Sequence, residues 1–330
     1  LPQGGQAPGP GFDAAALATG LGGPLATHQE LVNGRMMTGP EILQRVATDF
    51  SVGPRVLLAF LEARSGWVTG QPPEGAAGHD YPAGLEDPAR AGLWLQLNWL
   101  ADRLNGGYYD WKTRGSRVLT LRDGTYLAGH ESLEAGSFAV QRAMAYQSTA
   151  SELPTRLAAF DAAYRRLFGD PWQGAVPAPA GSAPRFPELS LPWARGETWW
   201  MTGGPHGGWA EGSARAAFDF VPAGDPLGCA VAEAWVTAVA DGWLLEAGDG
   251  ALYLDLDDDR DRRTGPGVFY LHLAAFGRAS AGTRVRAGDR LGHPSCEGGA
   301  SSATHLHIAR LRDGEWLAAG HSVASVGERI

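Results

Sequence analysis

The chain has 330 residues, which at roughly 150 residues per domain predicts about two domains. Hydrophobic residues are 44% and charged residues 19%, enough apolar side chain to build cores and to exclude global disorder. A net charge of −9 argues against an electrostatic nucleic-acid binder, and no run reaches the ~18 apolar residues of a membrane span.

After a Gly/Pro-rich start, Leu1 to Gly11, the first half reads as helices. The chain begins without methionine, which suggests that an N-terminal segment such as a secretion signal has been removed or left out. Pro40 stands where a first-turn proline is tolerated, ahead of Ile42, Leu43, Val46 and Phe50 at helical spacing. Pro54 opens a second helix with Val56, Leu57, Phe60 and Leu61 on its apolar side. Leu93, Leu97, Leu100 and Leu104 make a third stripe, and Asn105-Gly106-Gly107 is expected to stop it. Leu153, Leu157, Phe160, Tyr164 and Leu167 define a fourth, with Pro154 in its first turn. Trp94, Trp99, Tyr108, Tyr109 and Trp111 are either a sugar-stacking surface or, the favoured reading, helix-packing aromatics.

Composition breaks at Asp170-Pro171, and the following stretch is rich in Pro, Ala, Gly and Ser, the texture of an extended linker. From Trp193 onward, short Val-, Leu- and aromatic-rich runs alternate with Gly and Asp turns: 235–240, 243–246, 251–256, 268–273 and 306–309. Asp249-Gly250 between two of them is a hairpin signal. The expectation is an α+β chain of two domains: an all-α helical domain over 1–170, a Pro/Ala-rich linker over 171–192, and a mostly antiparallel β domain over 193–330.

Two clusters in the β half suggest chemistry. His305-Leu306-His307 puts two imidazoles on one face of a strand, either the start of a metal site or surface histidines on an edge. A catalytic zinc needs three ligands, so others must come from elsewhere in the chain. Asp255, Asp257, Asp259 and Asp261 alternate through a loop ending Thr264-Gly265, a pattern able to hold calcium. The EF-hand glycine and terminal Glu are missing, which favours a solvated hairpin tip.

Gly203-Gly204-Pro205-His206, Phe218-Asp219-Phe220, Tyr270-Leu271-His272-Leu273 and Thr304-His305-Leu306-His307 resemble, in order, the signature of the M23 zinc metallopeptidases, the lysostaphin-, LytM- and LasA-like endopeptidases that cut peptidoglycan peptides. Gly282, Val285, Gly288, Asp289 and Leu291-Gly292 resemble that family's turn before the final His-x-His strand, and the likeness covers about Trp199 to Trp316. The gap between His206 and Asp219 exceeds the His-x-x-x-Asp of most members and resembles the LasA subgroup.

The resemblance implies one Zn²⁺ per chain on His206, Asp219 and His307. His305 then stands beside the metal as general base and His272 as proton donor or oxyanion stabiliser, roles that could be exchanged. Tyr270 either faces the same side as His272 or is a core tyrosine, and His293 is read as a loop histidine. Cys229 and Cys296 are either one bridge or two buried thiols, the bridge being favoured in a secreted protein. In the helical half, residues 56–67 resemble weakly the first catalytic helix of lysozyme-like transglycosylases, but Arg64 occupies the place of the acid and cannot act as one. The implied protein is a monomeric, secreted or cell-envelope zinc metalloendopeptidase acting on peptidoglycan peptides, with no nucleic-acid partner. The alternatives are a non-catalytic wall-binding or regulatory module of the same fold, and a glycan-cleaving enzyme, which Arg64 disfavours.

Overall fold

A computed structural model describes residues 12–170, 186–224, 228–246 and 249–319. The described residues divide into two compact units near residue 180, the loop Ala210–Gly212 being counted with the first.

In the first unit, helices α1 (Ala14–Leu21) and α2 (Pro24–Thr27) lead into a hairpin of β1 (Gln29–Val32) and β2 (Arg35–Thr38). Asn33 and Gly34 both take positive φ at its tip, the conformation a two-residue hairpin requires. Helix α3 (Gly39–Asp49) starts on a capping box: Glu41 N–H donates to Thr38 Oγ1 and Thr38 N–H to the Glu41 carboxylate. Helix α4 (Pro54–Ser65) follows with Val56, Leu57, Phe60 and Leu61 fully buried, each stabilising by ~1.5–3 kcal/mol.

Helix α5 runs from Leu93 to Arg114, straight through Asn105-Gly106-Gly107, where the sequence predicts a stop. The reason is packing. A Cβ at Gly107 would stand 2.8 Å from Ala139 Cα, so the glycine admits the backbone of α6 (Ala135–Ala145), while buried Asn105 donates to Phe50 O at the end of α3. The helix ends instead at Gly115 in the left-handed conformation. A small hairpin, β3 (Val118–Thr120) and β4 (Tyr126–Ala128), precedes α6, and α7 (Leu153–Phe168) closes the unit with Pro154 in its first turn. The two short hairpins are the exceptions to an all-α first half.

Residues 171–185 of the expected linker lie outside the described residues. The remainder, 186–192, lies against the second unit: Phe186 and Leu189 pack on its core, and Thr237 N–H donates to Pro192 O.

The second unit contains β5 (Trp199–Gly207), β6 (Arg215–Pro222), β7 (Val236–Thr237), β8 (Gly242–Glu246), β9 (Leu252–Asp255), β10 (Pro266–Leu271), β11 (Arg284–Val285), β12 (Arg290–Gly292), β13 (Leu306–Arg312) and β14 (Glu315–Trp316). The main sheet has the order β11-β8-β9-β10-β13-β6-β5, with β14 paired to β13, and β7 pairs β12 separately. All these pairings are antiparallel. Strands β9 and β10 are buried on both faces, which explains their near-continuous apolar sequence. Tyr253, Phe269 and Tyr270 are among the largest fully buried side chains.

Cys229 and Cys296 form a disulfide with a sequence separation of 67. Closing a loop of that length contributes roughly 4 kcal/mol on the chain-entropy account. The double variant Cys229→Ser/Cys296→Ser is therefore expected to unfold at lower denaturant, with ~2–4 kcal/mol lost from the stability of the β unit. An unchanged midpoint would contradict this role.

Candidate metal centre

Strand β6 lies between β13 and β5, and Asp219 on it stands opposite His307 on one side and Gly203 on the other. A Cβ at Gly203 would come within 2.6 Å of Asp219 Oδ2, so glycine there leaves room for the carboxylate. From Gly203 to His206, β5 takes three steps while β6 takes two, from Asp219 to Ala217. This bulge re-aims the strand end and brings His206 Nε2 to 2.8 Å from Asp219 Oδ2. His307 Nδ1 lies 3.3 Å and His305 Nε2 3.6 Å from Asp219 Oδ1. The His272 ring centroid is 4.4 Å from that of His305. The four sequence motifs thus meet at one place.

The hydrogen bonds select the tautomers. A carbonyl can only accept, so the ring nitrogen facing it carries the proton. His206 Nδ1 donates to Gly207 O at 3.2 Å and His307 Nε2 to Gly208 O at 2.9 Å. His305 Nδ1 donates to Ala303 O at 2.7 Å and His272 Nδ1 to Glu297 O at 3.1 Å. In the neutral rings the other nitrogen therefore bears a lone pair, and in His206, His305 and His307 it is the nitrogen turned toward Asp219. These carbonyl partners escape a sequence reading because a main-chain acceptor leaves no residue-type signature.

His272 follows the end of β10 with φ of 66°, a left-handed conformation rare for a side-chain-bearing residue. It is held from both sides: Ser295 N–H and Oγ donate to its carbonyl at 2.7 and 3.0 Å, and Glu297 O takes its ring proton. Cys296 of the disulfide sits between those two partners.

Burial alone would raise the Asp219 carboxyl. The hydrogen bond from His206, the close approach of His307 and the charge of His305 overcome it and hold Asp219 well below the usual carboxylate range. The bond to Asp219 raises His206, whereas burial and then the neighbouring His305 push His272 down to about 4.

Asp219 Oδ1 is buried without a hydrogen bond, an orphaned oxygen with His305 Nε2 and His307 Nδ1 nearby at 3.6 and 3.3 Å. One ligand atom from each of His206, Asp219 and His307 lies within 4.8 Å of the other two. Tetrahedral zinc ligands bound at ~2.0–2.2 Å stand roughly 3.3–3.6 Å apart, so this donor set fits a cation of that kind with little adjustment.

Tyr270 is fully buried and its hydroxyl accepts from Val239 N–H at 3.0 Å, so it is a core tyrosine; the chain turns at His272 and the two side chains do not act together. His293 is buried against Trp235, with ring centroids 3.9 Å apart, and bonded to Ala234 O. In the helical unit Glu62 is fully buried and satisfied: its carboxylate accepts from Val68 N–H, Thr69 N–H, Thr69 Oγ1 and Arg166. Arg64 is also buried, donates to Gln147 Oε1 at 3.1 Å, and is pushed down to about 10 by that burial. Neither is a free carboxyl acid.

Residues 11–181 match the family model described as LasA, N-terminal domain. Protease LasA of Pseudomonas aeruginosa strain UCBPP-PA14 is 25% identical over 296 residues, spanning 84% of this chain and 67% of that protein. The protein of strain PAO1 aligns with the same identity and coverage. Among solved structures, the M23 metalloprotease pseudoalterin from the deep sea is 25% identical, covering 39% of this chain and 73% of that one, with a TM-score of 0.33. The catalytic domain of the antimicrobial peptidase lysostaphin from Staphylococcus simulans is 21% identical, covering 42% and 99%, with a TM-score of 0.29.

Proposed function

The chain belongs to the LasA N-terminal domain family and is homologous to Protease LasA, and on that premise we propose that it is a secreted zinc metalloendopeptidase hydrolysing peptide bonds of bacterial peptidoglycan. The observation that carries the reading is the convergence of three imidazole nitrogens on the half-buried Asp219 carboxylate, one of whose oxygens is buried and unbonded, with His272 beside them. His206 through Nε2, Asp219, and His307 through Nδ1 would hold one zinc. Zinc bound there polarises a scissile carbonyl and lowers the pKa of water toward 7.

This chain's own groups do the rest. The outward N–H bonds to Gly207 and Gly208 fix the ligand rings and leave Nε2 of His206 and Nδ1 of His307 as the nitrogens aimed inward. His305, outside the ligand set and with Nε2 turned inward, takes the proton from attacking water. The proton that His305 takes is the one returned to the leaving amine. His272, locked by Ser295 and Glu297 with its ring centroid 4.4 Å from that of His305, would stabilise negative charge on the substrate once its Nε2 carries a proton, the two roles being exchangeable. The disulfide fits a protein made for an oxidising compartment, and among the described residues no helix is long and apolar enough to cross a membrane.

The test is end-group analysis of purified cell wall after digestion. New amino ends with no new reducing or anhydro-sugar ends are expected. Sugar ends would make it a glycan-cleaving enzyme, and neither kind would make it a binding module.

A further inference from the structure

The loop from β9 to β10 carries a second cluster that the zinc chemistry does not use. Asp255 ends β9 and is fully buried. Its Oδ2 accepts from Arg260 N–H at 3.0 Å, but its Oδ1 is buried with no hydrogen bond. One carboxylate oxygen from each of Asp255, Asp257 and Asp259 lies within 4.8 Å of the other two.

Four arginines surround the loop, and their close contacts are with other groups. Arg260 lies over the Trp243 ring at 3.6 Å and Arg262 over Tyr253 at 5.1 Å. Arg263 pairs with Asp261, and Arg284 pairs with Asp258 at 3.0 Å. Among the described residues no ion pair reaches Asp255, Asp257 or Asp259. Asp259 accepts from Asp261 N–H and Thr264 Oγ1 and feels the charge of Arg263, but the three carboxylates, one wholly withdrawn from water, still face each other with negative charge in excess. Such a group is costly unless a cation or a proton enters it.

We propose that Asp255, Asp257 and Asp259 bind one calcium ion that ties the β9–β10 loop together. The ligands are all hard oxygens, which excludes the nitrogen-rich preference of zinc. Oxygens sharing one Ca²⁺ at ~2.3–2.6 Å stand at most ~5.2 Å apart, which accommodates carboxylate oxygens lying within 4.8 Å of one another, and the flexible coordination of Ca²⁺ suits a loop of this kind better than the strict octahedron of Mg²⁺. Burial and then the neighbouring Asp255 and Asp259 push the Asp257 carboxyl up to about 7, the mark of a site where negative charge is in excess. The solvated hairpin tip expected from the missing EF-hand residues does not account for the buried, orphaned Asp255 oxygen. The inference is independent of the zinc reading.

Calorimetric titration of calcium chloride into the full-length protein, freed of calcium by dialysis, tests it. One site is expected, with the sub-millimolar to millimolar dissociation constant common in extracellular modules, and a calcium-dependent rise in melting temperature. Asp257→Asn, at an exposed position, should weaken binding by at least ~10-fold and abolish the melting shift, because the charge count of the ligands sets affinity. Asp258→Asn, next in the chain but paired with Arg284, should bind as the wild type does. If Asp257→Asn folds poorly by circular dichroism, Asp259→Asn replaces it with the same expectation. No heat and no melting shift, or binding that survives both Asp257→Asn and Asp259→Asn, would overturn the proposal.

Discussion

Asp219→Ala is expected to abolish zinc binding and peptide-bond cleavage together while leaving the β unit folded. Asp219 is the one acidic member of the site, bonded to His206 and flanked by His305 and His307. Without it, two imidazole ligands remain, too few to retain a catalytic zinc. Several kcal/mol of transition-state stabilisation leave with the metal, and each ~1.4 kcal/mol is tenfold in rate, so cleavage should fall by ~10³ or more. Folding survives because the rings of His206, His305 and His307 stay anchored on the main-chain carbonyls of Gly207, Ala303 and Gly208, and His206, no longer held up by Asp219, sheds its proton readily. His206→Ala should behave alike. Acid should act in the same direction: Asp219 raises His206 in the metal-free protein, so zinc must displace a proton there and binds more weakly as pH falls below that raised value. Elemental analysis of the dialysed variants with a melting curve for each checks this; an Asp219→Ala protein that keeps its zinc would show the ligand set to be wrong.

His305→Ala is expected to keep its zinc and still lose ~10²–10⁴-fold in rate, the usual size of a general acid–base contribution. His305 differs from His307 in one respect that matters. It precedes β13, where a single bridge joins it to Ser295, whereas His307 is inside β13 directly opposite Asp219. On the proposed ligand set, the register would present His307 to the metal and leave His305 at its edge. His272 should respond likewise in His272→Asn, a substitution chosen because Asn tolerates the left-handed backbone found there. Zinc loss from His305→Ala as complete as that from His307→Ala would mean that the two histidines have exchanged roles.

Much of this was legible in the residues. The apolar stripes of α3, α4 and α7 and the runs of β8, β9, β10 and β13 have strong periods or lengths, and burial follows them. Asn33-Gly34 and the Thr38-Gly39-Pro40-Glu41 capping box are equally plain local signals for β2 and α3, and reading them would have revealed a hairpin in the helical half. Helix α6 was harder, because its apolar face is built largely from alanines that carry little periodic contrast. The end of α5 could not be read locally at all: Gly107 looks like a helix stop, and only the approach of Ala139 shows why a glycine sits mid-helix.

The candidate site divides in the same way. His206, Asp219, His272, His305 and His307 are side chains with recognisable spacing. What aims them is not: the β5 bulge, the left-handed His272, and the carbonyls of Gly207, Gly208, Glu297 and Ala303 are backbone features that depend on pairing between distant strands. The orphaned oxygens of Asp219 and Asp255 belong to this class too, since burial decides whether a carboxylate is solvated.

The most direct test of the account is anomalous diffraction at the zinc edge from crystals of the active protein. The account predicts one peak within ~2.0–2.2 Å of His206 Nε2, an Asp219 oxygen and His307 Nδ1, with His305 and His272 outside bonding distance. A peak bonded to His305 or His272 in place of those ligands, or no zinc peak in protein that still cleaves peptide bonds, would contradict it.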